Sequence, residues 1–179
     1  AAAGRLAAED LALVVLGSGE ARFEQIFRAL AHAHPDKIAA RIGYDNGLAH
    51  RIEAGADMFL MPSRYEPCGL NQLYSLKYGT VPVVRATGGL VDTVTDTTPE
   101  TLDQQTATGF SFEAQSASVL EATLRRAVET YWQNEATWRQ LVETGMRQDW
   151  SWTTSAQRYL EVYAQASRRH HEDRQRLQR

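Results

Sequence analysis

Leu11-Ala-Leu-Val-Val-Leu-Gly-Ser-Gly19 sets the architecture of this 179-residue chain. A continuous apolar run closed by a glycine turn is the pattern of a strand covered on both faces, and a parallel sheet is its natural host. From Glu20 to His34 the apolar residues Phe23, Ile26, Phe27 and Leu30 fall three and four apart, on one helical face, and Pro35 ends the run. The alternation then repeats: a strand over Ile38–Ile42, a short helix over Asn46–Ala54, a strand over Met58–Met61, a helix over Leu70–Tyr78 and a strand over Val81–Arg85. Short β-rich runs alternating with amphipathic helices predict an α/β, doubly wound domain built on a parallel sheet with helices on both faces. Beyond Gly88-Gly89 the polar, threonine-rich stretch Thr93–Thr108 reads as a surface loop, and Phe110–Phe112 as a last short strand. Three carboxy-terminal helices follow, over Ser116–Trp132 with Ser116 as cap, Glu135–Asp149, and Thr153 to about Arg169.

The ends read differently from the middle. Ala1 to Asp10 is alanine-rich, with Leu6 in a helical register but no amino-terminal cap, so it resembles the tail of something longer. Residues 167–179 are almost wholly polar, a solvated helix end or a frayed tail. The expected organisation is therefore one domain over 1–166 and a tail over 167–179.

A formal net charge of -3 gives no general attraction to a phosphate backbone, so the basic footprint of nucleic-acid binding is missing. The apolar run Leu11–Leu16 falls far short of the roughly 20 residues that span a bilayer. One cysteine, Cys68, permits no internal disulfide and is compatible with a reducing cytoplasm.

Ligands of open α/β sheets bind beyond the carboxyl ends of the strands. The segment after Met61 places Glu66 just ahead of a helix that starts near Gly69. The first amides of a helix lack intrahelical partners and carry the positive end of its dipole, so this start suits a diphosphate, and Gly69 admits a ligand close to the backbone. Glu66 has two readings: a carboxylate that accepts from sugar hydroxyls or faces an anomeric carbon, or an acid that favours the helix start. Thr87-Gly88-Gly89, after the next strand, either brings further amides to the same ligand or is only a turn. Elsewhere, His32 and His34 suit the negative end of a helix better than a metal site. His50 and Arg51 could meet a ligand or merely pack. Trp132, Trp138, Trp150 and Trp152 suit packing or a carbohydrate platform.

Ser63-Arg-Tyr-Glu-Pro-Cys-Gly-Leu-Asn-Gln-Leu-Tyr-Ser-Leu-Lys-Tyr-Gly-Thr-Val-Pro-Val-Val-Arg85, followed by Thr87-Gly-Gly-Leu-Val-Asp-Thr-Val94, resembles the signature of bacterial glycogen synthases and plant starch synthases. Ile42-Gly-Tyr44, His50-Arg-Ile52, Gly55-Ala-Asp57, Ala107-Thr-Gly-Phe110 and Asp149-Trp-Ser-Trp152 extend the likeness from Leu11 to about Ala166. The resemblance implies the Rossmann-like carboxy-terminal lobe of a two-lobed GT-B glycosyltransferase, with ADP-glucose as donor, an α-1,4-glucan as acceptor, retention of configuration and no metal. It implies that Glu66 contacts the donor glucose and that the amides of Gly69, Leu70 and Asn71 hold the distal phosphate. Tyr44 would lie near adenine, Thr87, Gly88 and Gly89 would border the diphosphate or glucose, and Cys68 would act through its backbone as a buried, quiet thiol.

Two departures qualify the likeness. Many retaining transferases of this architecture carry a second glutamate eight residues after the first, where this chain has Tyr74. The family's lobe also opens with a strand ending in Ser-Arg-Leu and a nearby Gln-Lys-Gly, whose cations neutralise the leaving diphosphate. Neither motif is in these 179 residues, nor is the amino-terminal lobe with its Lys-Thr-Gly-Gly loop. The expectation is a lobe that transfers no glucose alone, with a non-catalytic nucleotide-sugar-binding module and a related transferase using UDP-glucose as the alternative readings.

Overall fold

The computed structural model describes residues 10–177, with side chains to His170. The expected helical register around Leu6 and the last tail side chains lie outside the described residues. The chain divides into two compact units at Arg147/Gln148. The boundary expected after residue 166 falls inside a single helix, α8 (Trp152–Leu177).

In the first unit, strands β1 (Leu13–Gly17), β2 (Ile38–Ile42), β3 (Met58–Met61), β4 (Val81–Arg85) and β5 (Phe110–Phe112) alternate with α1 (Ala21–Ala33), α2 (Asn46–Gly55), α3 (Asn71–Tyr78) and the short α4 (Gly89–Thr93) and α5 (Pro99–Asp103). Helices α6 (Ala117–Gln133) and α7 (Glu135–Arg147) complete it. All strand pairings are parallel, as the alternation requires, but they form two ladders, β1-β2 and β3-β4-β5.

The strands differ in depth. Val81 to Val84 are all buried, and the two faces of β4 meet different layers. Val81 and Val83 pack with Phe110, Leu124, Ala127 and Leu141, while Val84 packs with Leu90 and Val94 under α4. At about 25 cal/mol per Å² of apolar surface, such double coverage makes β4 the spine of the unit. Pro82 is tolerated there because successive residues alternate their polar groups between the two neighbours. The Val81 amide donates to Asp57 O at 3.0 Å on the β3 side, and the Ala86 amide donates to Phe112 O at 2.7 Å on the β5 side. The missing Pro82 donor therefore faces β5, whose ladder begins only at Val83.

β1 departs from the expected double coverage. Val14 is 52% exposed, and among the described residues β1 pairs with β2 alone. Between β1 and β3 lies a groove of about 640 Å³ whose walls include Leu11, Val14, Ile52, Met58 and Trp132. The apolar composition of Leu11–Leu16 thus marks a strand with one unpaired edge.

The expected surface loop over Thr93–Thr108 is also corrected. It contains α5, and Ala107 and Thr108 are fully buried. The threonines satisfy the segment from within. Thr98 and Thr101 form a reciprocal capping box, the Thr95 amide donates to Thr108 Oγ1 at 2.9 Å, and Thr97 Oγ1 donates to Gly109 O at 2.6 Å. Asp96 accepts from the Ser111 amide at 2.7 Å and pairs with Arg126. Hydroxyls that replace water as partners let a polar segment enter the interior. Ser116 does occupy the N-cap of α6, yet its hydroxyl meets Ser118 Oγ at 2.8 Å and makes no capping bond.

Candidate functional site

The carboxyl ends of β3 and β4 carry the two loops singled out in the sequence, and the fold interlocks them. The Gly89 amide donates to Glu66 O at 3.1 Å. Gly88 adopts φ 51° with ψ −135°, a conformation reserved for glycine, and a Cβ there would overlap the Glu66 carbonyl oxygen. A Cβ on Gly89 would overlap the Cys68 carbonyl in the same way. Both glycines are therefore required by backbone-to-backbone approach, beyond any turn.

Helix α3 begins at Asn71 with Leu70 as its cap, one residue later than the expected Leu70–Tyr78, and its ladder opens with the Tyr74 amide donating to Leu70 O at 3.0 Å. The amides of Leu70, Asn71 and Gln72 precede that first intrahelical bond and so form the positive end of the helix. Leu70 and Asn71 are exposed, and Gly69, at φ 75°, turns the chain into the helix. The partly buried Glu66 carboxylate lies 3.4 Å from Ser63 Oγ. Arg85, at the end of β4, fastens the loop by donating to Arg64 O at 2.7 Å and Ser63 O at 3.3 Å, while its Nε donates to Glu113 O at 3.0 Å.

Thr87 stands at the mouth of this assembly, its carbonyl accepting from the Leu90 amide at 3.2 Å. Cys68 is exposed, which corrects the expected buried thiol. Its backbone, meanwhile, forms the wall against Gly89 and accepts a side-chain bond from Gln72. Tyr44, in the segment after β2, is 90% exposed and outside the interlocked pair. Two residues that the sequence left unremarked hold the loops together: Gln72, fully buried, and Thr93, whose hydroxyl donates to Gly89 O at 2.7 Å.

The other candidates separate. His50 packs edge-on against Tyr74 and Tyr78 and lies 3.9 Å from the Glu53 carboxylate, so it serves packing between α2 and α3. Trp138 stacks on Phe110 and meets Tyr131 edge-on in the core, whereas Trp132, Trp150 and Trp152 are exposed. Among the described residues no three His, Cys, Asp or Glu side chains group as a metal site, and no helix is long and apolar enough to cross a membrane.

Glu53 is a buried carboxyl whose Oε2 makes no hydrogen bond and faces His50 Nδ1 at 3.9 Å. Desolvation raises its pKa above the ordinary 4.5, against the opposing pull of His50. Because the folded value lies above the unfolded one, stability is full below pH 4.5 and declines as the pH climbs through the raised value. Glu53→Gln is expected to match the parent at pH 4 and to melt a few degrees higher, on the order of 2–4 °C, at pH 8. Melting curves across that range check the sign, and a variant that loses stability at pH 8 would show the charge to be favourable where it sits.

Known proteins resemble this chain in sequence and in fold. The profile of the family described as "Glycosyl transferases group 1" matches residues 1–143. The chain is 56% identical over 164 residues to a glycogen synthase of Anaeromyxobacter dehalogenans and 51% identical over 162 residues to one of Koribacter versatilis. Those matches cover 91% and 90% of the chain but 33% of each relative, so the chain spans about a third of their length. Among solved structures, the catalytic domain of starch synthase IV from Arabidopsis thaliana, bound to ADP and acarbose, superposes with a TM-score of 0.75 at 35% identity, over 84% of this chain and 31% of that one. A sucrose-phosphate synthase of Thermosynechococcus elongatus, at 22% identity and a TM-score of 0.65 over 92% of this chain and 41% of its own, shares the fold. Since the family profile runs through every strand and both interlocked loops, the chain belongs to the group 1 glycosyltransferases.

Proposed function

We propose that this chain is the nucleotide-sugar-binding, carboxy-terminal lobe of an ADP-glucose-dependent glucosyltransferase that extends the non-reducing end of an α-1,4-glucan with retention, in the cytoplasm. The observation that carries the proposal is the interlock itself: one carboxylate, Glu66, and one glycine pair are fixed beside the open amino terminus of α3. The glycogen synthase relatives and the ADP-bound starch synthase neighbour support the choice of donor and acceptor.

In this reading the amides of Gly69, Leu70 and Asn71 take the distal phosphate of the donor. A hydroxyl oxygen of the acceptor bonds to the anomeric carbon as its proton passes to the departing diphosphate. The bond from that carbon to the diphosphate oxygen breaks with its electron pair left on that oxygen, and these amides stabilise the growing charge without reorganising. Donors of this kind are worth about 2.7–4 kcal/mol each in acyl-transfer enzymes. The Glu66 carboxylate faces the sugar and offsets positive charge at the anomeric carbon. Thr87, Gly88 and Gly89 border the diphosphate and glucose, the backbone of Cys68 supports them, and the exposed ring of Tyr44 covers the adenine. No metal takes part. Among the described residues β1 and β3 each leave one edge unpaired, which a further parallel strand would join, and a second lobe supplies the cations for the leaving group.

The test is glucose incorporation into glycogen by the full-length polypeptide, with ADP-glucose and UDP-glucose compared at equal concentration. ADP-glucose is expected to be used at least about tenfold faster, a preference of roughly 1.4 kcal/mol or more. Equal use of both would overturn the donor assignment, and no incorporation from either would overturn the reaction. Residues 1–179 alone are expected to transfer nothing.

A further inference from the structure

Gln72 has no direct place in the chemistry proposed above, yet it is fully buried at the centre of the site. Its Nε2 donates to Cys68 O at 3.1 Å and Gly69 O at 3.0 Å, and reaches Thr93 Oγ1 at 3.2 Å. Two carbonyl acceptors fix the orientation of the amide, because the flipped form would set Oε1 against both carbonyl oxygens. The Thr93 hydroxyl, accepting from Gln72, donates onward to Gly89 O at 2.7 Å, and the Gly89 amide returns to Glu66 O at 3.1 Å. The circuit is closed: the Glu66–Gly69 loop, the first turn of α3 and the Gly88–Gly89 turn are held by one chain of hydrogen bonds.

The circuit also accounts for an apparent defect. Gln72 Oε1 is buried without a hydrogen-bond partner, and such a group destabilises the fold. A leucine or methionine would fill the same space without that cost, but neither could hold two carbonyls and a hydroxyl in fixed positions. A half-satisfied polar group in a packed interior is explicable where the position of its partners matters more than stability.

We infer that Gln72 and Thr93 are positioning residues, which hold the Glu66 loop and the Gly88–Gly89 turn in one register so that the carboxylate and the phosphate-facing amides meet the same donor molecule. The inference rests on the proposed donor site for its catalytic consequence, while the hydrogen-bond circuit stands on the structure alone. Small displacements at a reacting centre act on the rate far more than on overall binding, since a shift of about 1 Å costs up to a hundredfold. Loss of the tie therefore falls on kcat more than on KM.

Thr93→Val keeps the volume and removes the hydroxyl, and Thr93→Ser restores it. In the full-length polypeptide, Thr93→Val is expected to lower kcat roughly tenfold with the donor KM changed less than about threefold, while Thr93→Ser stays within about twofold of the parent in both. In the same proteins the Gly89 amide is expected to exchange with solvent roughly tenfold faster in Thr93→Val and at the parental rate in Thr93→Ser, with the Val83 amide unchanged in both. Unaltered Gly89 exchange in Thr93→Val would overturn the tie. Faster exchange with parental kcat would show that the tie does not position the reacting groups, and a fall in the serine variant equal to that in valine would assign the effect to packing. If the parent transfers no glucose from ADP-glucose, the functional proposal fails and the exchange measurement alone decides the circuit.

Discussion

Gly88→Ala is expected to lower the melting midpoint by roughly 6–12 °C and to abolish measurable binding of ADP. The added methyl would overlap the Glu66 carbonyl oxygen and sit 2.8 Å from its carbon, both backbone atoms that no side-chain rotation can move. The backbone at φ 51°, ψ −135° is itself strained for any L side chain, by about 1–3 kcal/mol. Relieving the overlap parts the two loops and breaks the Gly89–Glu66 bond, a further loss of about 0.5–1.5 kcal/mol. A total near 3 kcal/mol corresponds to the stated shift for a chain of this size. Gly55→Ala is the control: the methyl meets nothing within 4 Å at the end of α2, and the variant should match or slightly exceed the parent. Thermal melts and ADP titration of the two variants side by side check the expectation, and a Gly88→Ala protein that melts and binds like Gly55→Ala would show that the loops are not interlocked in solution.

The strands of this fold were legible where burial is two-sided or the run is sharply bounded. Ile38–Ile42, Met58–Met61 and Val81–Arg85 appear as strands at the expected residues, because a short β-rich run between turn formers leaves the backbone little choice. Other features depend on pairings that composition does not encode. Thr93–Thr108 is polar enough to suggest a surface, yet its hydroxyls are spent on Thr95, Asp96 and Gly109, and no window of composition reveals that pairing. Val14 illustrates the opposite error. An apolar residue in an apolar run is 52% exposed because β1 has one ladder and not two, a matter of topology.

The site divides along the same line. The turn roles of Gly69, Gly88 and Gly89 were legible because glycine beyond a strand end marks a positive φ or a close backbone approach. Gln72 and Thr93 were not, since their bond spans 21 positions in sequence. A signal did exist: Gln72 shares a helical face with Ser75 and Leu76, both buried, and a long amide on the core side of a helix calls for partners. Cys68 misled in the other direction. Cysteine is among the residue types most often buried, but the loop that carries it turns its backbone inward and its thiol out.

Glu66→Gln is expected to reduce glucose transfer by the full-length polypeptide by roughly 10²–10³ while leaving the dissociation constant for ADP within about threefold. Glutamine is isosteric, keeps one acceptor for a sugar hydroxyl and leaves the carbonyl that receives the Gly89 amide untouched, so the loop keeps its shape. Only the negative charge is lost. At about 4 Å and an effective dielectric near 20, a unit charge facing developing positive charge on the sugar is worth on the order of 4 kcal/mol, nearly three decades in rate. ADP carries no glucose, so its affinity reports on the amides of α3, the glycine pair and the adenine contact, and not on the charge of Glu66. The contrast separates the two readings of this acid that the sequence left open. An acid that merely favours the start of α3 would, on losing its charge, lower the melting midpoint slightly and leave the rate within a fewfold of the parent. An acid at the anomeric carbon would spare the melt and collapse the rate.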